Sequence, residues 1–473
     1  MAGAVQATPG FALQPSAEQV PLATNYITNF DFLNQYLPDT YEKEFERYGN
    51  RTVASFLRLV GAEMPSNSDL IKWAEQGRLH TKYINCSSGA AAGADTATIT
   101  VNDVLVPGGG SIAIRVGQTI VLSDNAGAGL NKGIVTSVNT AAGTFDVAYY
   151  EAAGQIGGAG LTYTVFIYGS EFKKGTNGMV GSLEADDVIF DNSPIIIKDK
   201  YAVSGSDMAQ IGWVEVTTEN GASGYLWYLK SEHETRLRFD DYLETAMIEA
   251  VPAEAGSGAV AAAGDVGNKG SEGIFYVVEN RGNVWGGGNP AALADFDAII
   301  SRLDKQGSIE ENVIFVDRDF GFDIDDMLAA QNSYGAGGTS YGLFDNDKDM
   351  ALNLGFTGFR RGYDFYKSDW KYLNDPTMRG GLPTGANSGR VNGLLVPAGS
   401  TTVYDQILGK NAKRPFLHVR YRASETEDRR YKTWITGSAG GAATSSLDAM
   451  EVHFLSERAV CTLGANNFFL FQE

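Results

Sequence analysis

Read along the chain, the clearest pattern of apolar and polar positions lies between Tyr225 and Ala250. Leu226, Leu229, Leu237, Tyr242, Leu243, Ala246, Met247 and Ala250 recur at spacings of three and four. That rhythm lines one stripe of a helix. The opposite side is charged. Glu232 precedes Arg236 by four residues and Glu234 precedes Arg238 by four, the favourable order for pairs on one helix face. Gly221 and Gly224 stand before the helix and Pro252 stops it. At 1.5 Å per residue such a helix is roughly 40 Å long, more than a small domain is wide. A narrow apolar stripe on so long a rod predicts a spine between neighbouring domains or subunits.

The same reading runs through the rest of the chain. Residues Met1 to Pro21 form an arm. From Tyr36 to Val60, Tyr41, Phe45, Tyr48, Phe56, Leu57 and Val60 return at helical spacing, broken near Gly49 and Asn50. Ser68 or Asp69 is placed to cap a short helix ending at Gly77. From Ser87 the period changes to two. Short alternating runs at Thr96 to Val101, Ser111 to Val116, Thr119 to Ser123, Gly133 to Asn139, Thr144 to Tyr149 and Leu161 to Tyr168 are separated by Gly, Asn and Asp turns. They predict a small all-β barrel or sandwich, set into a chain of different composition at about 85–165. Glu171 to Val216 reads as extended, with strands at Val188 to Phe190 and Ile195 to Ile197 and a polar tip at Lys173 to Gly178.

Beyond the spine, Ala253 to Gly270 is an Ala/Gly loop. Ile274 to Val278 reads as a strand. Asn289 and Pro290 supply a helix start, Leu293, Phe296, Ile300 and Leu303 its apolar stripe, and Gly307 its end. Val313 to Val316 is a strand, and Asp323 is placed to cap a helix through Leu328. Further strands fall at Ala351 to Phe356, Tyr363 to Tyr366 and Val391 to Val396. At the C-terminal end, Leu417 to Arg422 alternates, and Asp428 to Thr436 and Met450 to Leu455 complete an antiparallel sheet.

Composition narrows the function. A chain of 473 residues is too long for one core. Its net charge of −20 argues against a sequence-specific nucleic-acid binder, which needs a basic face for phosphates. It suits a wall that stands near nucleic acid without adhering. Two cysteines, Cys86 and Cys461, give no disulfide framework and no CxxC metal pattern. Met1 to Val20 lacks the basic and apolar regions of a signal peptide, and no run approaches eighteen apolar residues, so no membrane contact is expected.

The candidate chemistry is thin. Asp345, Asp347 and Asp349 resemble the start of a calcium loop, but the sixth and twelfth positions hold Met350 and Phe356, which leaves a solvated acidic turn. Gly286, Gly288 and Ala291 only loosely mimic a dinucleotide fingerprint and read as a helix-entry loop. His80, His233, His418 and His453 fit no HExxH pattern, and no serine lies in GxSxG. No catalytic residue, cofactor or metal is therefore expected. Arg414, Arg420, Arg422, Arg429 and Arg430, with Lys413 and Lys432, gather positive charge around Tyr421, Tyr431 and Trp434. In so acidic a chain they read as an ion-paired sheet face meeting its own or a neighbouring chain's carboxylates rather than as a nucleic-acid face.

The order of arm, helices, extended loop, spine, α/β region and returning sheet resembles the major capsid protein of tailed bacteriophages, the Hong Kong 97-type fold. Asn289 to Val316, Gly358 to Asn374 and Val391 to Ser400 resemble that family's axial domain, and the layout is most similar to capsid proteins of crAss-like phages. The resemblance implies an α+β architecture: arm and helices at 1–84, an inserted β domain at 85–165, an extended loop at 166–218, spine helix and following loop of the peripheral domain at 219–272, axial domain at 273–405, and C-terminal sheet of the peripheral domain at 406–473. It implies a non-enzymatic shell protein of the virion, assembled in the host bacterial cytoplasm. Hexamers and pentamers would close an icosahedral shell around double-stranded DNA held without sequence-specific contact. Portal, scaffold and head decoration or fibre proteins are the implied partners. No cleaved scaffolding segment is visible, which implies a separate scaffold or none. Lys173, Lys174, Arg236, Arg238, Arg420, Arg422, Arg429 and Arg430 are the candidate inter-subunit contacts. Some family members cross-link a loop lysine to a neighbour's asparagine; that is not expected of Lys173 or Lys174. The alternatives are an encapsulin-like compartment and a glycan-binding β protein.

Overall fold

The computed structural model describes residues 56–57, 62–78, 80–102, 112–127, 129–157, 160–181, 187–209, 216–217, 223–224, 227–261, 268–332, 357–383, 385, 389–405, 410–441 and 443–473. The arm, most of the Tyr36 to Val60 helix, Leu226, the acidic turn at Asp345 and the strand expected at Ala351 to Phe356 lie outside them. Phe56 and Leu57 are helical, as their spacing predicts.

The chain divides into two compact units. One holds Ile197–Glu244 and Tyr431–Ser456 among the described residues. The long strand Ala449–Thr462 starts there; it runs beside Ile195–Ser204, and its first half pairs antiparallel with Lys432–Gly437, from Lys432↔Leu455 to Gly437↔Met450. Alternation sends Met450, Val452 and Phe454 to one face, where they meet Phe239 and Leu243 of the spine helix. Phe239 sits edge-on to Tyr431 at 5.3 Å.

The spine helix is Trp227–Glu249. Its buried stripe is Thr235, Phe239, Leu243 and Met247, a four-residue repeat, joined by Ile248 and by the carboxylates Asp241 and Glu244. Tyr242, expected in the stripe, is exposed, and Phe239 is fully buried in its place. Phe239 lies four residues before Leu243 and so extends the stripe that Leu243 and Met247 continue, leaving Tyr242 outside it. The helix leaves the first unit at Glu244 and ends in the second.

The second unit contains a mixed sheet of six strands among the described residues, in the order Asn283–Gly286, Phe469–Gln472, Val391–Pro397, Glu311–Val316, Tyr363–Asp369, Gly358–Arg361. Val391–Pro397 is buried along its whole length, as a strand covered on both faces must be. Helices Leu293–Gln306 and Arg318–Asn332 bring Phe296, Leu303, Phe320 and Ile324 onto Ile314, Phe365 and Leu395. Elsewhere in the unit Phe56 packs against Phe315 at 4.6 Å and Trp370 at 4.4 Å.

Four local expectations are corrected. Ile71–Gln76 is a strand, not a helix, because burial alternates along it; Ser68 makes a turn by bonding Leu70. Ile274–Arg281 is a helix, not a strand. Its run of apolar residues is buried nearly all round, a case in which periodicity cannot separate the two states. Gly273 forces the tight entry: a Cβ there would stand 2.7 Å from the Ala250 nitrogen. The helix expected to start at Asn289 and Pro290 starts at Leu293. The Asp295 carboxylate accepts from the Ala291 and Ala292 amides at 3.2 and 3.1 Å. Asn289 is used otherwise, donating to Asp323 and accepting from Asn392, each at 2.7 Å. Asp323 therefore caps nothing; the Asp317 carboxylate accepts from the Phe320 amide at 2.7 Å and opens that helix. Gly307 ends the preceding helix in the left-handed region at φ 71°.

Strands Lys82–Ser88, Thr96–Val101, Gln118–Asp124, Leu130–Asn139, Thr144–Tyr149 and Thr162–Ser170 close into a barrel. Cys86, Ile99, Ile120, Leu122, Val147 and Val165 fill it. Of the strand expected at Ser111 to Val116, residues 112–116 are described and form no strand; among the described residues the ring is closed by the six others. Ile112 and Ile114 are instead buried in the barrel core, and the Ala113 amide donates to the Tyr83 hydroxyl at 2.7 Å.

Candidate functional site

Ile71–Gln76 pairs with Asp187–Asn192 to make an antiparallel ribbon that, among the described residues, has no third strand. The barrel is spliced between its two strands. The ribbon is held at its base. Ile71 packs with Ala459 and Cys461. The Asn192 amide donates to the carbonyls of Val460 at 2.7 Å and Glu272 at 3.0 Å, and its carbonyl oxygen accepts from the Ser271 hydroxyl at 2.9 Å and the Glu272 amide at 2.8 Å. The Arg281 guanidinium lies 4.2 Å from the Phe190 ring centroid and pairs with Glu272 at 2.7 Å. Burial raises the Glu272 carboxyl above its ordinary range against the pull of Arg281. Farther out the ribbon is bare: Val188 is 47% and Ile189 64% exposed. The register sets Ile189 opposite Ala74, so an apolar spot sits between Lys72–Asp191 and Gln76–Asp187. Isolated two-stranded ribbons are marginal in water and gain by being covered.

The arginine-rich strand Leu417–Arg422 lies parallel to Ala62–Ser66 and antiparallel to the second half of the long strand. Glu63 and Asp69 come from the first partner's side of the chain and Glu457 from the long strand. Arg429 pairs with Glu457 at 2.6 Å; Arg422 pairs with Asp69 and lies 3.8 Å from Glu457. Arg430 pairs with Glu63 and crosses the Tyr421 ring, and Arg420 donates to the Pro65 carbonyl at 3.3 Å. The structure thus gathers Arg420, Arg422, Arg429 and Arg430 and gives each an acceptor in its own chain. Lys173 and Lys174 are exposed on the turn after the barrel, where the Lys173 carbonyl accepts from Thr176 at 2.7 Å. Arg236 and Arg238 are exposed on the spine helix.

The foot of the spine carries an ion pair that sequence spacing alone could not reveal. Glu249 accepts from Arg379 Nε and Nη2, each at 2.6 Å, and from the Tyr372 hydroxyl at 2.6 Å. The Arg379 guanidinium lies 5.0 Å from the Phe275 ring. Burial, and then the bond to Glu249, pushes the Tyr372 phenol well above its usual range. The partners are separated by 130 residues, and each is an ordinary charged position in its own segment.

The histidines are scattered. His80 and His233 are exposed, and His453 stacks on Trp434 at 5.1 Å. His418 is buried, with Nδ1 3.3 Å from the Pro415 carbonyl. Burial, then the nearby Arg420, pushes it down to about 4. A histidine lowered in the folded state costs stability as the unfolded chain gains the proton first, so stability is expected to fall from about pH 6.5 to about pH 4. The loss approaches about 3 kcal/mol and levels off below. His418→Phe should remove that part of the slope in urea midpoints measured across this range. Both cysteines are buried, and burial pushes the Cys461 thiol up to about 12. Among the described residues no group of three His, Cys, Asp or Glu side chains is placed to hold a metal, and no helix is long and apolar enough to cross a membrane.

No family model matches the chain, and no curated protein matches it. Solved structures do. A chain from Microbacterium phage Oxtober96 is 10% identical over 94% of this chain and 99% of its own, with a TM-score of 0.40. The capsid of a native GTA particle is 8% identical, covering 92% and 94%, at 0.37. The mature capsid of bacteriophage PhiM1 is 10% identical, covering 64% and 78%, at 0.32. The identities and scores are too low to carry a functional inference.

Proposed function

We propose that this chain is a major capsid protein, a non-enzymatic building block that self-assembles into the icosahedral head of a tailed phage with a Hong Kong 97-type fold. The observation that carries the reading is the ribbon: anchored firmly at its base, bare and aliphatic farther out, and in need of a surface that the described residues of its own chain do not supply. A second copy supplies such a surface at every position of a closed shell. In this reading the helix Trp227–Glu249 is the spine of the peripheral domain and the six-stranded sheet belongs to the axial domain. The ribbon is the extended loop, and the barrel is the inserted domain. Hexamers and pentamers form through many modest contacts, with the exposed Lys173, Lys174 and Arg238 placed to meet neighbours. The net charge of −20 keeps enclosed double-stranded DNA from adhering to the wall. Portal, scaffold and decoration proteins are the further partners, and assembly takes place in the host cytoplasm.

Electron microscopy of the purified full chain under assembly conditions tests this. Closed particles of uniform diameter are expected. A monomer that stays inert across concentration, salt and temperature overturns the reading.

A further inference from the structure

An open groove of about 780 Å³ lies on the outer wall of the barrel. That volume falls within the range of ligand sites, roughly 300–1,000 Å³. Two rings stand in it. Tyr150 and Tyr168 are each 49% exposed. Neither is a loose surface tyrosine. The Tyr150 hydroxyl donates to Glu171 at 2.6 Å, and the Lys132 ammonium lies 5.7 Å from the Tyr168 centroid. The floor is cut away at Gly169, which stands in register with Thr119. The Thr119 hydroxyl is buried there with no hydrogen-bond partner, an uncommon state for a buried polar atom.

We propose that this groove binds a neutral saccharide chain. The half-exposed tyrosines offer flat apolar faces to the C–H faces of sugar rings, while Glu151, Glu171 and Lys132 offer acceptors and donors to hydroxyl groups. The other ligand classes fit worse. A phosphate or sulfate polymer would meet two carboxylates on a chain of net charge −20. An apolar peptide would cover Glu151, Glu171 and Lys132 without replacing their hydrogen bonds to water. A polyhydroxylated, uncharged ligand meets both demands. The inference does not depend on whether the chain assembles.

Affinity electrophoresis of the full chain through gels containing dextran, mannan, xylan or alginate tests it. Retardation by at least one of the three neutral polymers is expected. Tyr150→Ala and Tyr168→Ala should each weaken it by roughly tenfold, the size of one lost aromatic contact with its buried area. Tyr168→Phe, which keeps the ring, should bind like the parent. Because both rings are half exposed, the variants should melt with the parent, which thermal unfolding checks. No retardation by any neutral polymer, retardation by alginate alone, or retardation equal in parent and Tyr→Ala variants overturns the proposal.

Discussion

Arg379→Leu is expected to destabilise the protein by about 2–3 kcal/mol, less than the roughly 3–5 kcal/mol of a fully buried pair because the Glu249 side chain is a third exposed. The reason is the position of Glu249. It ends the spine helix, where the last turn's unpaired carbonyls already make the environment negative and a carboxylate is unwelcome. Arg379 answers both charges with two hydrogen bonds of 2.6 Å. Without it, Glu249 keeps, among the described residues, the Tyr372 hydroxyl. Glu249→Leu should cost a similar amount, while Tyr372→Phe, which deletes one bond and no charge, should cost about 1 kcal/mol. The double variant Arg379→Leu/Glu249→Leu should regain much of the loss, since two apolar side chains leave no stranded charge. Urea unfolding of the four variants checks the set; additive losses in the double variant would refute the account.

The second large effect concerns assembly rather than folding. Ile189→Asp combined with Val188→Asp is expected to leave a soluble chain with near-parental unfolding midpoint and to abolish particles under conditions where the parent forms them. Both side chains are about half exposed or more, so the isolated chain loses little buried area. The two side chains stand on opposite faces of the ribbon, so an interface closing over either one would bury a carboxylate without a partner, at several kcal/mol per contact. A shell repeats that penalty at every contact, so modest losses become all-or-none. Ala74→Asp, opposite Ile189, should act in the same way. Light scattering and electron microscopy read the outcome. Particles formed by the double variant at parental yield would remove the ribbon from the assembly interface.

How legible this was in the sequence depends on where the information resides. The spine was legible because its length and periodicity are local, and five barrel strands were legible because turns bracket each alternation. The sixth, Lys82–Ser88, was not read as a strand, because Ile84 and Asn85 break its alternation, and Asn85 has a positive φ of 55°. Helix Ile274–Arg281 was missed because a fully buried run carries no period. The carboxylates that meet Arg422, Arg429 and Arg430 were hidden for another reason. Glu63 is 367 residues from Arg430, a pairing made by parallel strand register and by nothing nearby in the chain. The bare ribbon was visible only as an extended region, because exposure of Val188 and Ile189 is a property of what fails to pack on them.

The barrel's first and last strands are paired to each other, with Lys82 beside Phe166, and the ribbon strands that lead into and out of it end side by side at Gln76 and Asp187. Its two attachment points are therefore neighbours. A short turn joining Gln76 to Asp187 would preserve every rung of the ribbon ladder, so residues between them form a cassette that a genome can lose, trade or replace without redesigning its host.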